Sequence, residues 1–215
     1  MTTRVLLADD HKIVREGLRA LISQERDVEV VGEAETGGQA LALACSLRPD
    51  VVVMDVSMPE LNGIEATRRI SAAAPEVKVV ALSMHGDALF VKQMLQAGAC
   101  GYLRKGCSFD ELLHAIRLVA AGGIYLTPSA ASGLIGDGTQ RLVPRDVSPL
   151  AVLTPREREV LQLIAEGNTG KRIAILLHVS PKTVSTHRRR IMAKLDARTT
   201  AELTQHAIRG GLIAL

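Results

Sequence analysis

Val51-Val52-Val53-Met54-Asp55-Val56-Ser57-Met58-Pro59 decides the fold of this chain. Four apolar residues in a row, without alternation, read as a strand covered on both faces, the habit of a parallel sheet. Asp55 stands at the end of that strand. A second run, Val5-Leu6-Leu7-Ala8, ends in Asp9-Asp10. Carboxylates delivered to one sheet edge repel one another where the dielectric is low, unless they share a cation. Mg²⁺ favours one or two carboxylates completed by waters and phosphate oxygens. The two runs therefore predict a Mg²⁺-assisted phosphoryl site built from Asp9, Asp10 and Asp55.

Outward from these runs, the spacing predicts strands at Arg4–Ala8, Val28–Glu33, Val51–Met54, Val77–Ser83 and Gly101–Leu103. Amphipathic helices fill the gaps, at Lys12–Ser23, Gly37–Leu47, Gly63–Ala73, Ala88–Ala97 and Phe109–Ala121. Five βα units make a doubly wound α/β domain with a five-stranded parallel sheet. Ligands of such sheets bind at the carboxyl ends of the strands, where Asp9, Asp10, Asp55, Ser83 and Lys105 all fall. One at a time, an Asp after a strand is a turn or cap residue, Lys105 a solvated lysine and Ser83 a loop residue. Together they read as a site. Asp55 is the candidate nucleophile. Asp10 and Asp9 hold the metal, with the Ser57 carbonyl as a further oxygen. Lys105 and the Ser83 hydroxyl take phosphoryl oxygens.

The pattern dissolves from Gly122-Gly123 to Leu150, so residues 1–122 form the first domain and 123–150 a linker, with one short helix expected at Pro128–Ile135. Residues 151–215 read as helix throughout. Charge divides the same way. Residues 1–125 hold 13 Lys/Arg against 16 Asp/Glu, and residues 151–215 hold 11 against 5. The basic part is a nucleic-acid candidate. No apolar run is long enough for a membrane helix. Met1-Thr2-Thr3-Arg4 lacks a signal-peptide layout. Three scattered cysteines, Cys45, Cys100 and Cys107, fit a reducing cytoplasm rather than a disulfide or zinc framework.

Thr154-Pro155-Arg156-Glu157 has the form of a capping box with Pro at the first helical position. The helix it opens, Arg156–Glu166, stops at Gly167. A short helix, about Gly170–His178, and a longer one capped by Ser180-Pro181 and reaching Leu195 form a helix-turn-helix; a fourth follows at Thr200–Arg209. At 100° per residue, Lys182, Ser185, Thr186, Arg189 and Ala193 share one face of the long helix. Val184, Ile191 and Leu195 share the other, with His187 beside them. The apolar side should pack on Ile173, Ile175, Leu176 or Leu177. Ser185, Thr186 and Arg189 suit base edges in a major groove, while Lys182, Arg188 and Arg190 suit phosphates.

With these residues in view, Asp9-Asp10, Asp55, Met58-Pro59-Glu60-Leu61-Asn62-Gly63-Ile64-Glu65, Ser83 and Gly101-Tyr102-Leu103-Arg104-Lys105 resemble the receiver domain of two-component response regulators. The resemblance implies phosphorylation of Asp55 by a sensor histidine kinase and Mg²⁺ held by Asp10, Asp55 and the Ser57 carbonyl. It also implies a switch pair, Ser83 and Tyr102, whose ring turns inward as the hydroxyl moves. Gly106 stands where many receivers have Pro. Leu153 to Leu161, and Ser180-Pro181-Lys182-Thr183-Val184-Ser185-Thr186-His187, resemble the LuxR-type helix-turn-helix of the NarL/FixJ class, which adds Thr183 to the DNA-binding set. Gly170-Lys171-Arg172 replaces that class's usual Asn-Lys-Glu. Ala201 to Arg209, with Tyr102–Gly106, resembles the GacA/UvrY branch. A phosphorylation-dependent homodimer on DNA, acting with RNA polymerase, is what the resemblance implies.

Two other classes compete. A haloacid-dehalogenase phosphatase also uses a strand-end Asp, but needs a second acid where Ser57 stands. A ligand-sensing transcription factor needs an aromatic-lined pocket, and only four aromatic residues (two Phe, two Tyr) are present in 215.

Overall fold

The structure, a computed structural model, describes residues 2–84, 88–127, 130 and 150–213. The expected helix Pro128–Ile135, apart from Ala130, and most of the linker lie outside the described residues. The chain divides into two compact units, Met1–Gln140 and Arg141–Leu215.

In the first unit, strands β1 (Thr3–Ala8), β2 (Val28–Ala34), β3 (Val51–Asp55), β4 (Lys78–Ser83) and β5 (Gly101–Arg104) alternate with helices. These are α1 (Lys12–Ile22), α2 (Gly37–Leu47), α3 (Gly63–Ala73), α4 (Ala88–Gln96) and α5 (Phe109–Ala120). The sheet order is β2-β1-β3-β4-β5-β6, and every pairing is parallel. The sheet has six strands, not the five expected. β6 (Tyr125–Leu126) pairs with Gly101 and Tyr102. Two residues are too few to leave an alternation in the sequence. The strand is built by backbone bonding, with Tyr125 N–H donating to Cys100 O at 2.9 Å. It lies beyond Gly122-Gly123, where the sequence pattern ends.

The apolar runs are continuous because the sheet is covered twice. Leu6, Ala8, Val52, Met54, Val79, Ala81 and Tyr102 point into one core with residues of α2, α3 and α4. Their neighbours Val5, Leu7, Val51, Val53, Val80, Leu82 and Leu103 point into the other, with residues of α1 and α5. All five residues of β3 are buried. Each buried Val, Leu or Ile contributes about 1.5–3 kcal/mol.

The second unit is helical: α6 (Pro155–Ala165), α7 (Gly170–Leu176), α8 (Pro181–Leu195) and α9 (Thr200–Arg209). Thr154 and Glu157 form the expected capping box, with Pro155 in the first turn. Gly167 adopts φ +85°, the conformation that ends the helix cheaply only for glycine. The core gathers Val160, Leu161, Leu163, Ile173, Val184, Ile191 and Leu203.

Candidate functional sites at the sheet edge and on the third helix of the second unit

Parallel register brings the carboxyl ends of β1, β3, β4 and β5 level: Ala8 pairs with Met54, Asp55 with Leu82 and Ser83 with Arg104. Asp9, Asp55, Ser83 and Lys105 therefore emerge side by side. Lys105 N–H donates to Ser83 O at 2.8 Å, which ties the last two together through the backbone. Gly63 closes the back of the site. A Cβ there would collide with the Asp55 carbonyl oxygen, so glycine lets α3 start directly against the Asp55–Ser57 turn.

The site centres on Lys105. Its Nζ donates to Asp55 Oδ2 at 2.8 Å. Asp9 Oδ2 pairs with the same ammonium at 2.8 Å. Asp55 Oδ1 accepts the Ser57 N–H at 3.3 Å. Burial pushes the Asp55 carboxyl up to about 6, the neighbouring Asp9 charge adds to this, and the bond from Lys105 only partly offsets them. Burial alone would lower the Lys105 ammonium, but its bonds to Asp55 and Asp9 outweigh burial and hold it above the ordinary lysine range. One ammonium thus faces two buried carboxylates, and the cluster has negative charge to spare. Asp9, Asp10, His11 and Asp55 each place a ligand atom within 4.8 Å of the others, a set that could hold a metal ion.

Ser83 is fully buried and Tyr102 is 1% exposed, its ring inside the core beneath the sheet edge. Asp10 is exposed and Ser57 half-buried.

Two residues of this region were not singled out in the sequence. Arg15 is buried; its Nη1 donates to Asp9 O at 2.6 Å and its Nη2 to Glu35 Oε1 at 2.5 Å. It fixes the Asp9 backbone from beneath. The signal was its place on the stripe of Leu18 and Ile22, at i, i+3 and i+7, where a charge has to be partnered. His11 lies over the acidic pair, with Nδ1 2.8 Å from Asp10 Oδ1. The signal was a histidine in an N-cap position, where Ser, Thr, Asp or Asn is favoured.

In the second unit, Val184, Ile191 and Leu195 of α8 are buried, while Lys182, Ser185, Thr186, Arg188, Arg189 and Arg190 are exposed. Thr183 is half-buried and bonds Ser180. Of the packing partners expected in α7, Ile173 is buried and Leu176 and Leu177 are partly so, but Ile175 is 65% exposed. The helix is only two turns long, and Ile175 lies on its outer side. Ser185 and Thr186 donate their hydroxyls to the carbonyls of Pro181 and Lys182, both at 3.0 Å, which leaves oxygen lone pairs facing out. Arg188 Nη2 donates to Thr200 Oγ1 at 2.6 Å. Arg189 and Arg190 show no bond of this kind.

A parallel-sheet unit with an acidic pocket, followed by a helix-turn-helix with an exposed basic face, defines a class, and comparison with known proteins identifies it. Residues 5–117 match the response regulator receiver domain, and residues 151–207 match the bacterial regulatory proteins of the luxR family. The chain belongs to the response regulators that join a receiver to a LuxR-type DNA-binding domain. It is a transcription regulator and not an enzyme. It is 41% identical over 210 residues to the response regulator GacA of Pseudomonas protegens, covering 98% of this chain and 97% of that one. It is 38% identical over 209 residues to the response regulator UvrY of Escherichia coli K12, covering 97% and 94%. Among solved structures, the two-component response regulator RcsB–DNA complex is 27% identical with a TM-score of 0.59, covering 97% of this chain and 99% of that one. A LuxR-family response regulator from Aurantimonas sp. SI85-9A1 is 37% identical with a TM-score of 0.62, covering 65% and 100%.

Proposed function

We propose that Asp55 is the phosphoacceptor of this regulator and that a sensor histidine kinase is the donor. The observation that carries this is the bridge of Lys105 Nζ to Asp55 Oδ2 at the carboxyl edge of the sheet. It puts one carboxylate beside a fixed cation that can pair with an incoming phosphoryl oxygen. Asp9, Asp10 and Asp55 face the single Lys105 ammonium, and this excess of negative charge fits a resident dication. Asp10, Asp55 and the Ser57 carbonyl would hold Mg²⁺, with Asp9 beside them. Mg²⁺ when bound supplies charge neutralisation at the phosphoryl group. Asp55 Oδ attacks phosphorus as the P–N bond to the kinase's phosphohistidine breaks and the imidazole leaves, and Lys105 and the Ser83 hydroxyl contact the transferred oxygens. Ser83 and Tyr102 are the switch pair. The buried Tyr102 ring supports the inward position, and the added phosphate biases the pair.

The receiver comprises residues 1–122, the linker 123–150, whose first residues add β6 to the receiver sheet, and the DNA-binding domain 151–215. α8 enters the major groove. Arg189, Ser185 and Thr186 read base edges, and Lys182, Thr183 and Arg190 position the backbone, with Arg188, tied to Thr200, contributing least to the DNA-binding set. Phosphorylation favours a homodimer on paired half-sites, since two linked modules bind one duplex far more tightly than one. The structures of RcsB dimers on DNA and of the RcsB–DNA complex support this for the present chain. RNA polymerase is the downstream partner and the cytoplasm the compartment. Among the described residues, no helix is long and apolar enough to cross a membrane.

The test is intact mass after incubation with acetyl phosphate and Mg²⁺, for the full chain and for Asp55→Asn. One base-labile phosphoryl group is expected on the wild type alone. An equal adduct on the variant would remove Asp55 from its role.

A further inference from the structure

β6 has two residues, yet it is held from three sides. At the sheet edge it pairs in register with β5, Tyr125 with Gly101 and Leu126 with Tyr102. Tyr125 N–H donates to Cys100 O at 2.9 Å, and Thr127 N–H to Tyr102 O at 3.5 Å. On one face the Tyr125 hydroxyl donates to Glu111 Oε1 of α5 at 3.0 Å, and its ring meets His114 edge-on, with centroids 5.7 Å apart. On the other face Leu126 and Ala130 pack into the core that holds the Tyr102 ring. Thr127 is buried although it is polar, and its Oγ1 accepts the Ala130 N–H at 3.3 Å.

Two of these three holds pass through Tyr102. Its carbonyl accepts the last backbone bond of β6, and its ring fills the core on which Leu126 and Ala130 rest. With the ring turned out, that core loses a tyrosine's worth of packing. An edge strand of two residues has little else to keep it in place, so it opens locally while the five long strands stay.

We infer that β6 is a strap set by the switch residue: the inward Tyr102 ring holds the first residues of the linker on the sheet, and turning the ring out releases them. The inference rests on the reading of Asp55 as phosphoacceptor and of Ser83 and Tyr102 as the switch pair. It gives the receiver an output carried in the chain itself, because the strap is the start of the segment that leads in sequence to the DNA-binding domain. Coupling of this kind is reciprocal. A phosphoryl group that favours the inward ring strengthens the strap, and a docked strap strengthens occupancy of the phosphoryl site by the same factor.

The experiment uses the full chain with Mg²⁺ and beryllium fluoride, a stable stand-in for the phosphoryl group. Amide hydrogen exchange at Tyr125 and Thr127, whose N–H groups bond across to β5, is expected to slow on the order of 10-fold on occupancy in the wild type and to stay fast in Tyr102→Ala. Leu126→Ser should raise the beryllium fluoride concentration at half-occupancy about 5-fold. Ile124→Ser, at an exposed neighbour just outside the strand, should leave it unchanged. Occupancy is read at the Lys105 amide, which bonds Ser83 O beside Asp55. A Lys105 amide that responds while exchange at Tyr125 and Thr127 does not change overturns the strap and leaves the phosphoacceptor standing. Equal half-occupancy in Leu126→Ser and the wild type also overturns it. A Lys105 amide that never responds removes the reading of Asp55, and the strap with it. Leu126 is half-buried at the sheet edge, so Leu126→Ser folds, and slow exchange in β3 checks this for each variant.

Discussion

Asp9, Asp55 and Lys105 are packed out of water at one edge of a sheet, whereas Lys182, Arg189 and Arg190 stand in solvent along one helix. In the receiver, charges are close, few and unequal. Each one's ionisation depends on its neighbours, and adding a phosphoryl group of about −1.5 to −2 charge, or a dication, changes the balance of the whole cluster. In the DNA-binding unit the charges are screened and nearly independent. The first arrangement makes a switch and the second makes a footprint. If this contrast is correct, charge substitutions in the receiver should have large, pH-dependent and non-additive effects, and those on α8 small and additive ones.

The largest effect is expected from Lys105→Met. It leaves two buried carboxylates without their cation, and breaking a buried pair this way costs several kcal/mol. Because Asp55 can protonate, about 2–4 kcal/mol is expected at pH 7.5, shrinking toward pH 5. Chemical denaturation of the first transition at both pH values checks it, and a loss that does not depend on pH would sink the electrostatic account. Asp55→Asn should act in the opposite direction. The folded carboxyl titrates at about 6, above its ordinary value of 3.8, so its favourable contribution is complete below pH 4 and is lost as pH rises through 6. At pH 7.5 the ionised group therefore destabilises the fold by up to about 3 kcal/mol, and the variant is expected to be more stable there and equal near pH 4. Mg²⁺ should raise the melting temperature of the wild type and not of Asp55→Asn.

This contrast also explains what could be read from the sequence. The five long strands, the placement of Asp55 and the capping box at Thr154 all follow from local patterns: continuous apolar runs, strand ends and a four-residue motif. β6 did not, because two residues held by backbone pairing carry no periodicity. Arg15 and His11 were missed for a different reason. Their importance comes from what folds next to them, the Asp9 carbonyl and the acidic pair; the stripe of Leu18 and Ile22 and the unusual N-cap mark the two residues as odd but do not say what they touch. Ile175 was expected among the packing residues because α7 is too short for its apolar face to be fixed by spacing.

On α8, Arg189→Ala is expected to weaken specific DNA binding by about 1–3 kcal/mol and to relax base preference at one position. Lys182→Ala should weaken all sequences alike and reduce the salt slope by about 1. Binding isotherms at three salt concentrations, on an enriched and a scrambled duplex, distinguish the two. Identical behaviour would mean that neither residue reads bases. Within the same unit Glu157 is the exception that sharpens the rule. It is buried, yet Lys194 at 2.6 Å and the Thr154 amide outweigh burial and hold its carboxyl below the ordinary range. Glu157→Gln should lose about 1 kcal/mol at pH 7, with the difference vanishing as pH falls below that range. A loss that persists at pH 3 would point to packing instead.

The smallest effect is expected at Arg188, where the two kinds of charge meet. It lies in the same arginine run as Arg189 and Arg190, and the spacing alone makes it a phosphate contact. In the structure its guanidinium donates to Thr200 Oγ1, at the start of α9. An exposed bond of this kind contributes about 1 kcal/mol or less to stability, and a nitrogen held there is not free for DNA. Arg188→Ala should therefore change DNA affinity by less than half the Arg189→Ala effect, with little change in salt slope, and Thr200→Ala should restore to Arg188 a phosphate contact visible as a slope steeper by about 1. If Arg188→Ala instead equals Arg189→Ala and Thr200→Ala changes nothing, the bond to α9 gives way when DNA binds, and α8 presents its arginines as one continuous face.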